Sequence, residues 1–404
     1  MKKLLYLCAV ILLAASCKST YSLEHILETA KTQCIAMDAR LTQDVTPRTF
    51  ENGEVVNAEL RWWCSGFYPG TLWYLYDLTG DEQIKEIAIK NTHKLENICS
   101  LRTNHDIGFQ VMCSFWNEYR MTGDTTSFDI IEAAAAKLAR RYIPEVGCTV
   151  SWDNHMSFKC PVIIDNMMNL ELLMEAADLF DCDSLRQIAI DHANTTMENH
   201  FRPDYSTYHL VEYYPETGEV NYKRTVQGYA DETAWSRGQA WGLYGYAMMY
   251  ERTGDERYLT QAENIASYII PMLPEDAIPH WDFNAPGTEN AVARDAKGCP
   301  TDYRWNEGDP VLRDASAGAI MASGFVTLSR HTKDKSLAKK YMKIAKKQLA
   351  TLSTPEYFAD PMTNGNFLLK HSVGNLHGNS EVDVPLTYAD YYYLEAIWKI
   401  KNNK

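Results

Sequence analysis

The feature that most constrains this chain is a short turn recurring between apolar helical stretches. It reads Thr79-Gly80-Asp81, Thr122-Gly123-Asp124, Phe180-Asp181-Cys182-Asp183, Thr253-Gly254-Asp255 and Thr332-Lys333-Asp334. Glycine supplies the left-handed conformation that ends one helix, and aspartate caps the next. Each turn therefore joins two antiparallel helices, and flanking segments such as 241–251 and 258–270 carry helical periodicity with no interior proline. Repeated helical hairpins at irregular spacing indicate a closed all-α toroid with variable insertions, not a tight solenoid.

Counting back 18 residues from each turn aspartate reaches Trp63, Asp106, Asp165, Arg237 and Ser316. Each stands at or just before the helix that leads into its turn, and Asp383 holds the matching place before a sixth helix over 386–399. A helix of about 16 residues spans roughly 24 Å, so these residues share one rim and the turns lie on the other. The rim then collects carboxylates, a guanidinium, a hydroxyl and an indole, which is the composition of a site. Asp and Ser are also ordinary helix caps, so Asp106, Asp165, Ser316 and Asp383 singly fit a capping role; Arg237 and Trp63 do not.

Two irregular stretches interrupt the hairpins. Residues 205–233 alternate like two short strands around Pro215-Glu216-Thr217-Gly218, and 274–313 reads as a long loop rich in Pro, Gly, Asn and Asp. Both precede rim helices, so both are expected as walls or lids of a pocket.

The N-terminus bears on compartment. Lys2 and Lys3, an apolar run over 4–13 and Ala14-Ala15-Ser16-Cys17 have the form of a secretory signal, too short to span a bilayer. Leu13-Ala14-Ala15-Ser16-Cys17 resembles a bacterial lipobox, with Cys17 acylated as the mature N-terminus. The expected organisation is a signal peptide over 1–16, a tether over 17–30 and one catalytic domain over 31–404. The protein is then exported and lipid-anchored, in the periplasm or on the cell surface, and touches membrane only through that lipid. A net charge of −14 argues against nucleic acid and anionic membrane surfaces as partners. The 10 Trp and 25 Tyr are numerous enough to supply stacking faces for sugar rings as well as a core. The eight cysteines beyond Cys8 and Cys17 lack metal-type spacing, and Gly-rich phosphate loops, His-Glu-x-x-His and Gly-x-Ser-x-Gly are missing from the sequence.

The rim residues suggest acid–base chemistry. His105-Asp106 sets a histidine beside one carboxyl, and Ile163-Ile164-Asp165-Asn166-Met167 sets the second in apolar surroundings. Desolvation and a neighbouring carboxylate can keep an aspartic acid protonated, although a helix N-terminus opposes this. Arg237, flanked by Trp235 and Trp241, offers a fork for a carboxylate, and His209 and Gln227 are candidates to complete an anion pocket.

The segments Trp63-Cys64-Ser65-Gly66-Phe67-Tyr68-Pro69-Gly70, His105-Asp106-Ile107-Gly108-Phe109, Asp165-Asn166-Met167, Trp235-Ser236-Arg237-Gly238-Gln239-Ala240-Trp241 and Asp314-Ala315-Ser316-Ala317 resemble those of the unsaturated glucuronyl hydrolases, glycoside hydrolase family 88. The resemblance keeps motif order from about residue 30 onward. It implies an (α/α)6 barrel and no cofactor, metal or organic. It assigns acid/base work to Asp165, support to Asp106, and substrate binding to His105, His209, Gln227, Trp235, Arg237 and Trp241, with Trp63 and Trp152 as stacking residues. The implied partners are unsaturated uronate-terminated oligosaccharides of chondroitin, hyaluronan or heparin type, and the implied reaction is hydration of the terminal vinyl ether. An unsaturated rhamnogalacturonyl hydrolase acting on pectin fragments, or a non-catalytic glycan-binding lipoprotein, are the alternatives; His105-Asp106 and the paired aspartates favour the first reading. The stretch 284–310 is longer than the family's usual loop, and 370–380 departs from the Ser/Lys pattern of sulfate-tolerant relatives.

Overall fold

The computed structural model describes residues 20–153, 158–293, 296–299 and 305–402; the expected leader over 1–16 and the lipidation site Cys17 lie outside them. The described chain begins with α1 (Leu23–Asp38), the hairpin β1 (Val45–Glu51) and β2 (Glu54–Glu59), and the helices α2 (Phe67–Thr79) and α3 (Glu82–His93). Next come α4 (Ile107–Val111) and α5 (Asn117–Thr122), joined through a π-helical segment, Met112–Trp116, into one rod. Then follow α6 (Phe128–Ala139), β3 (Tyr142–Ile143), β4 (Cys148–Thr149), β5 (Pro161–Ile163), α7 (Asn166–Phe180) and α8 (Asp183–Asn199). The rest is β6 (Leu210–Tyr213), β7 (Val220–Arg224), α9 (Ser236–Thr253), α10 (Glu256–Met272), α11 (Ala315–His331), α12 (Lys335–Leu352), β8 (Ser372–Asn375), β9 (Ser380–Val384) and α13 (Thr387–Asn402).

The helices form the expected two-ring barrel. An inner ring runs α2, the α4–α5 rod, α7, α9, α11 and α13, and α13 packs back on α2 to close it. Outer helices α3, α8, α10 and α12 pack on the inner partners their turns connect them to. Burial follows the position. Inner helix α11 buries every residue from Ala315 to Leu328, whereas outer α12 buries only Tyr341, Ala345, Gln348, Leu349 and Leu352, one stripe at helical spacing.

The turns work largely as read. Gly80, Gly123 and Gly254 end their helices at φ of 70°, 76° and 69°, and Asp181 takes the left-handed place at φ 52°. Asp81, Asp255 and Asp334 accept backbone N–H bonds at the next helix start. Two aspartates differ. Asp124 holds Thr126 N–H at 2.8 Å within its turn, and Ser127 stands at the head of α6. Asp183 lies inside α8, because Cys182 occupies the cap position.

Three other expectations need correction. The tether over 17–30 is overrun by α1, whose Ile26, Ala30, Cys34 and Met37 recur at helical spacing and are buried. Asp383 caps nothing; it sits in β9 at φ 56° and its carboxylate meets His371 Nδ1 at 2.7 Å. The sequence also placed no structure over 372–384, where β8 and β9 pair antiparallel. The two strands expected within 205–233 are β6 and β7, and β5 joins them in a three-stranded sheet.

Candidate active site

Five of the six rim residues do converge, at the N-terminal ends of the inner helices. Asp106 and Asp165 occupy the cap positions of α4 and α7, yet neither carboxylate makes a capping hydrogen bond. Capping, the ordinary reason for an aspartate there, therefore explains neither. Close approach of the two helix starts is what sets them together. Gly108 lies against Asn169 so tightly that a Cβ would come within 2.4 Å of Asn169 Oδ1. Asn169 Oδ1 accepts Phe109 N–H at 2.8 Å, and its Nδ2 donates to Asp165 O at 3.4 Å, so one side chain ties both starts.

The small sheet places the histidine. β5 runs directly into Asp165, and Ile164 N–H donates to His209 O at 3.0 Å, so His209 stands beside the carboxyl. Val226 N–H donates to His209 Nδ1 at 2.9 Å. Nδ1 is thus an acceptor, and the neutral ring carries its proton on Nε2. That Nε2 lies 3.8 Å from Asp165 Oδ2, and both atoms are buried without a hydrogen-bond partner. His105 Nε2 stands similarly 3.4 Å from Asp106 Oδ2. Burial drives the pKa of both histidines well below 6.5, so both rings are neutral.

Both carboxyls are held above the usual range. Burial, reinforced by the charge of Asp165, raises Asp106 from 3.8 to about 8, against hydrogen bonds from Asn104 and Asn169. Burial raises Asp165 to about 7, against the attraction of Arg237. The Trp241 indole also pulls Asp165 down, though its Nε1 stops short of a full hydrogen bond. Burial is the first cause at both carboxyls, and the repulsion between Asp106 and Asp165 belongs to the pair. Two interacting acids of this kind titrate as a pair.

The remaining candidates sort by depth. Asp106 and Asp165 keep 10% and 14% of their side chains exposed, and Trp63, Trp152 and Gln227 are half-buried, so these form the pocket surface. Trp152 lies 6.3 Å from the His209 ring, and Trp63 packs on Phe109 and Tyr388. Gln227 sits between Val226, which fixes His209, and Gly228.

Trp235, Arg237, Trp241 and Ser316, read from the sequence as substrate-binding, lie behind that surface. Trp241 is fully buried between Phe109 and Tyr392. Trp235 is wedged between His209 and Arg237, so neither indole presents a face to a sugar. Arg237 is not an open fork. Its Nη1 donates to Asp314 Oδ2 at 2.8 Å and Val373 O at 2.6 Å, and Nη2 to Gly374 O at 2.8 Å. Ser316 Oγ donates to Asp314 Oδ1 at 2.5 Å and supports that pair.

Sequence reasoning missed Asp314 as the partner of Arg237, Asn169 as the tie, and the β8–β9 hairpin as part of the site. Asp314 sits in the quoted Asp-Ala-Ser-Ala motif, and the Gly374-Asn375 and Gly378-Asn379 pairs are turn signals. Among the described residues no group of three or more His, Cys, Asp or Glu side chains is placed to hold a metal. Cys34, Cys64, Cys99, Cys113, Cys148, Cys160 and Cys182 are free thiols.

No family model matches the chain. An unsaturated glucuronyl hydrolase of Formosa agariphila is 40% identical over 344 residues, covering 84% of this chain and 80% of its own. An unsaturated chondroitin disaccharide hydrolase of Streptococcus agalactiae is 32% identical over 359 residues, covering 87% and 84%. A crystal structure of an unsaturated glucuronyl hydrolase specific for heparin superposes at a TM-score of 0.85 and 41% identity, over 94% of this chain and 98% of that one. The Bacillus sp. GL1 enzyme superposes at 0.84 and 26% identity, over 94% and 97%.

Proposed function

The chain belongs to the unsaturated glucuronyl hydrolase family, and on that premise we propose how its paired carboxyls act. It is a glycosidase that releases the terminal 4,5-unsaturated uronic acid from lyase-generated glycosaminoglycan oligosaccharides. One observation carries the mechanism: two buried aspartic acids with raised pKa, flanked by neutral histidines, meet at one rim of the barrel. Near neutral pH the pair retains a proton.

The substrate's C4=C5 bond is a vinyl ether conjugated to a carboxylate. Asp165 delivers its proton to C4, positive charge develops at C5, and water adds there. The carboxylate left on Asp165 takes the proton of that water, and the nearby Nε2–H of His209 stabilises the ionised form. The hemiketal so formed opens, the glycosidic bond breaks, and a keto-uronate leaves. General acid–base assistance of this kind is worth about 10²–10⁴ in rate. Asp106 shares the proton and keeps the pair from ionising together. Arg237, set behind the pocket floor and paired to Asp314, supplies positive potential for the uronate carboxylate. The carboxyl-separation rule for retaining and inverting glycosidases has no bearing on a hydration.

The sequence supports export and lipid attachment at Cys17, through Lys2 and Lys3, the apolar run 4–13 and the lipobox-like segment. No described helix is long and apolar enough to cross a membrane.

Loss of the unsaturated-uronate absorbance band, followed on chondroitin, heparin and pectin disaccharides, tests the reading. Turnover of glycosaminoglycan disaccharides is expected. Turnover of pectin fragments alone would replace it with the rhamnogalacturonyl alternative, and turnover of none would end it.

A further inference from the structure

Trp62, one residue before the pocket tryptophan, is exposed at 41% of its surface although a large indole ordinarily goes inside. It is nonetheless held firmly. Trp62 N–H donates to Glu59 O at 2.9 Å, and Trp62 O accepts from Ser65 N at 3.0 Å and from Gln110 Nε2 at 2.9 Å. Gln110 lies on α4, one turn beyond Asp106, so the Trp62 backbone is fixed relative to the catalytic pair.

One face of the ring is covered by Arg48, whose guanidinium carbon stands 4.8 Å from the ring centroid. Arg48 falls at the irregularity in the β1–β2 register, where Pro47 and Thr49 keep successive partners and Arg48 has none. Such a bulge re-aims a side chain. The re-aimed guanidinium reaches Glu381 of β9 through Nε at 2.6 Å, and among the described residues neither Nη makes a hydrogen bond. Arg48 also lies within electrostatic reach of Tyr388, which packs on Trp63 at 4.9 Å. Trp62 with its Arg48 cover therefore stands exposed directly beside half-buried Trp63, which packs on buried Tyr388.

Apolar ring face beside unspent guanidinium donors fits a pyranose that carries an anionic group. In an alternating glycosaminoglycan tetrasaccharide the unsaturated sugar is followed by an amino sugar and then by a uronate. The geometry points to Trp62 and Arg48 as an outer subsite for that third ring, Trp62 stacking on it and Arg48 meeting its carboxylate. This rests on the glycosidase reading above and goes beyond the reacting disaccharide unit.

The test compares kcat/KM on the unsaturated disaccharide and tetrasaccharide of unsulfated chondroitin, for wild type, Trp62→Ala, Trp62→Phe and Arg48→Lys. Trp62→Ala is expected to lower the tetrasaccharide value about tenfold and to leave the disaccharide value within about twofold, the tenfold corresponding to about 1.4 kcal/mol. Trp62→Phe keeps a stacking face and restores most of the loss. Arg48→Lys keeps the charge beside Glu381 but loses the planar fork, and lowers the tetrasaccharide-to-disaccharide ratio about threefold. Equal losses on both substrates would make Trp62 a support of the whole rim and overturn the subsite, as would no loss on either. A wild type inactive on the disaccharide would overturn the glycosidase reading itself, separately from the subsite.

Discussion

Replacing Asp165 by asparagine separates a chemical role from a structural one. Asp165 makes no capping hydrogen bond, so the amide forfeits none. Its carboxyl is raised from 3.8 to about 7 by burial, which means the folded protein holds this proton more tightly than the unfolded chain. For a raised carboxyl the sign is definite: its stabilising contribution is complete below pH 4 and is lost as pH climbs to about 7. At 1.36 kcal/mol per pKa unit, the loss has an upper bound of about 4 kcal/mol. Asparagine carries no such slope and leaves Asp106 free of its ionised neighbour. The variant should match wild type in Tm at pH 4 and exceed it at pH 8 by a few degrees, at about 1–2 °C per kcal/mol for a domain of this size. Its turnover of an unsaturated disaccharide should fall at least about 10²-fold, and wild-type kcat should decline above neutral pH as the pair ionises. Scanning calorimetry at the two pH values and the absorbance assay read both. A variant with near wild-type turnover, or a Tm change equal at pH 4 and pH 8, would refute the argument.

Asp314→Asn keeps a cap for α11 but sets an amide against Arg237, and leaving that guanidinium unpaired should cost about 3–5 kcal/mol in a denaturant titration. Gly108→Ala forces Asn169 away from the start of α4; kcat should drop about tenfold or more with far less change in KM, since the carboxyl pair and not the sugar wall is displaced. Cys17→Ala should move the protein from the membrane fraction to the soluble one, and equal partitioning of the two forms by immunoblot would remove the lipid anchor.

How much was legible in the sequence depends on what each signal measured. The Thr-Gly-Asp turns report local backbone geometry, so the ring of helices and the rim positions of Trp63, Asp106, Asp165, Arg237 and Ser316 followed from them. Residue type, however, does not report depth. Arg237 reads as a fork awaiting a carboxylate until Asp314, 77 residues away, is seen to hold it. Trp235 and Trp241 look like stacking faces but fill the space behind His209 and Phe109. Trp62 gave no signal beside Trp63, because facing inward or outward is decided by packing on Tyr388 and by the bulge at Arg48. The tether over 17–30 failed for the reverse reason: Ile26, Ala30 and Cys34 already carry helical spacing, with no Thr-Gly-Asp turn beside them to mark it.

The β8–β9 hairpin has an evolutionary consequence. Its base is held by Arg237 through the carbonyls of Val373 and Gly374, that is, through backbone that any sequence supplies. At the tip, His377 donates to Gly228 O at 2.6 Å and Leu376 is buried in the main core. The exposed stretch 377–379 can therefore vary while the catalytic pair keeps its setting. The tip is a graftable module: exchanging it between relatives should carry sugar preference across without disturbing the chemistry beneath.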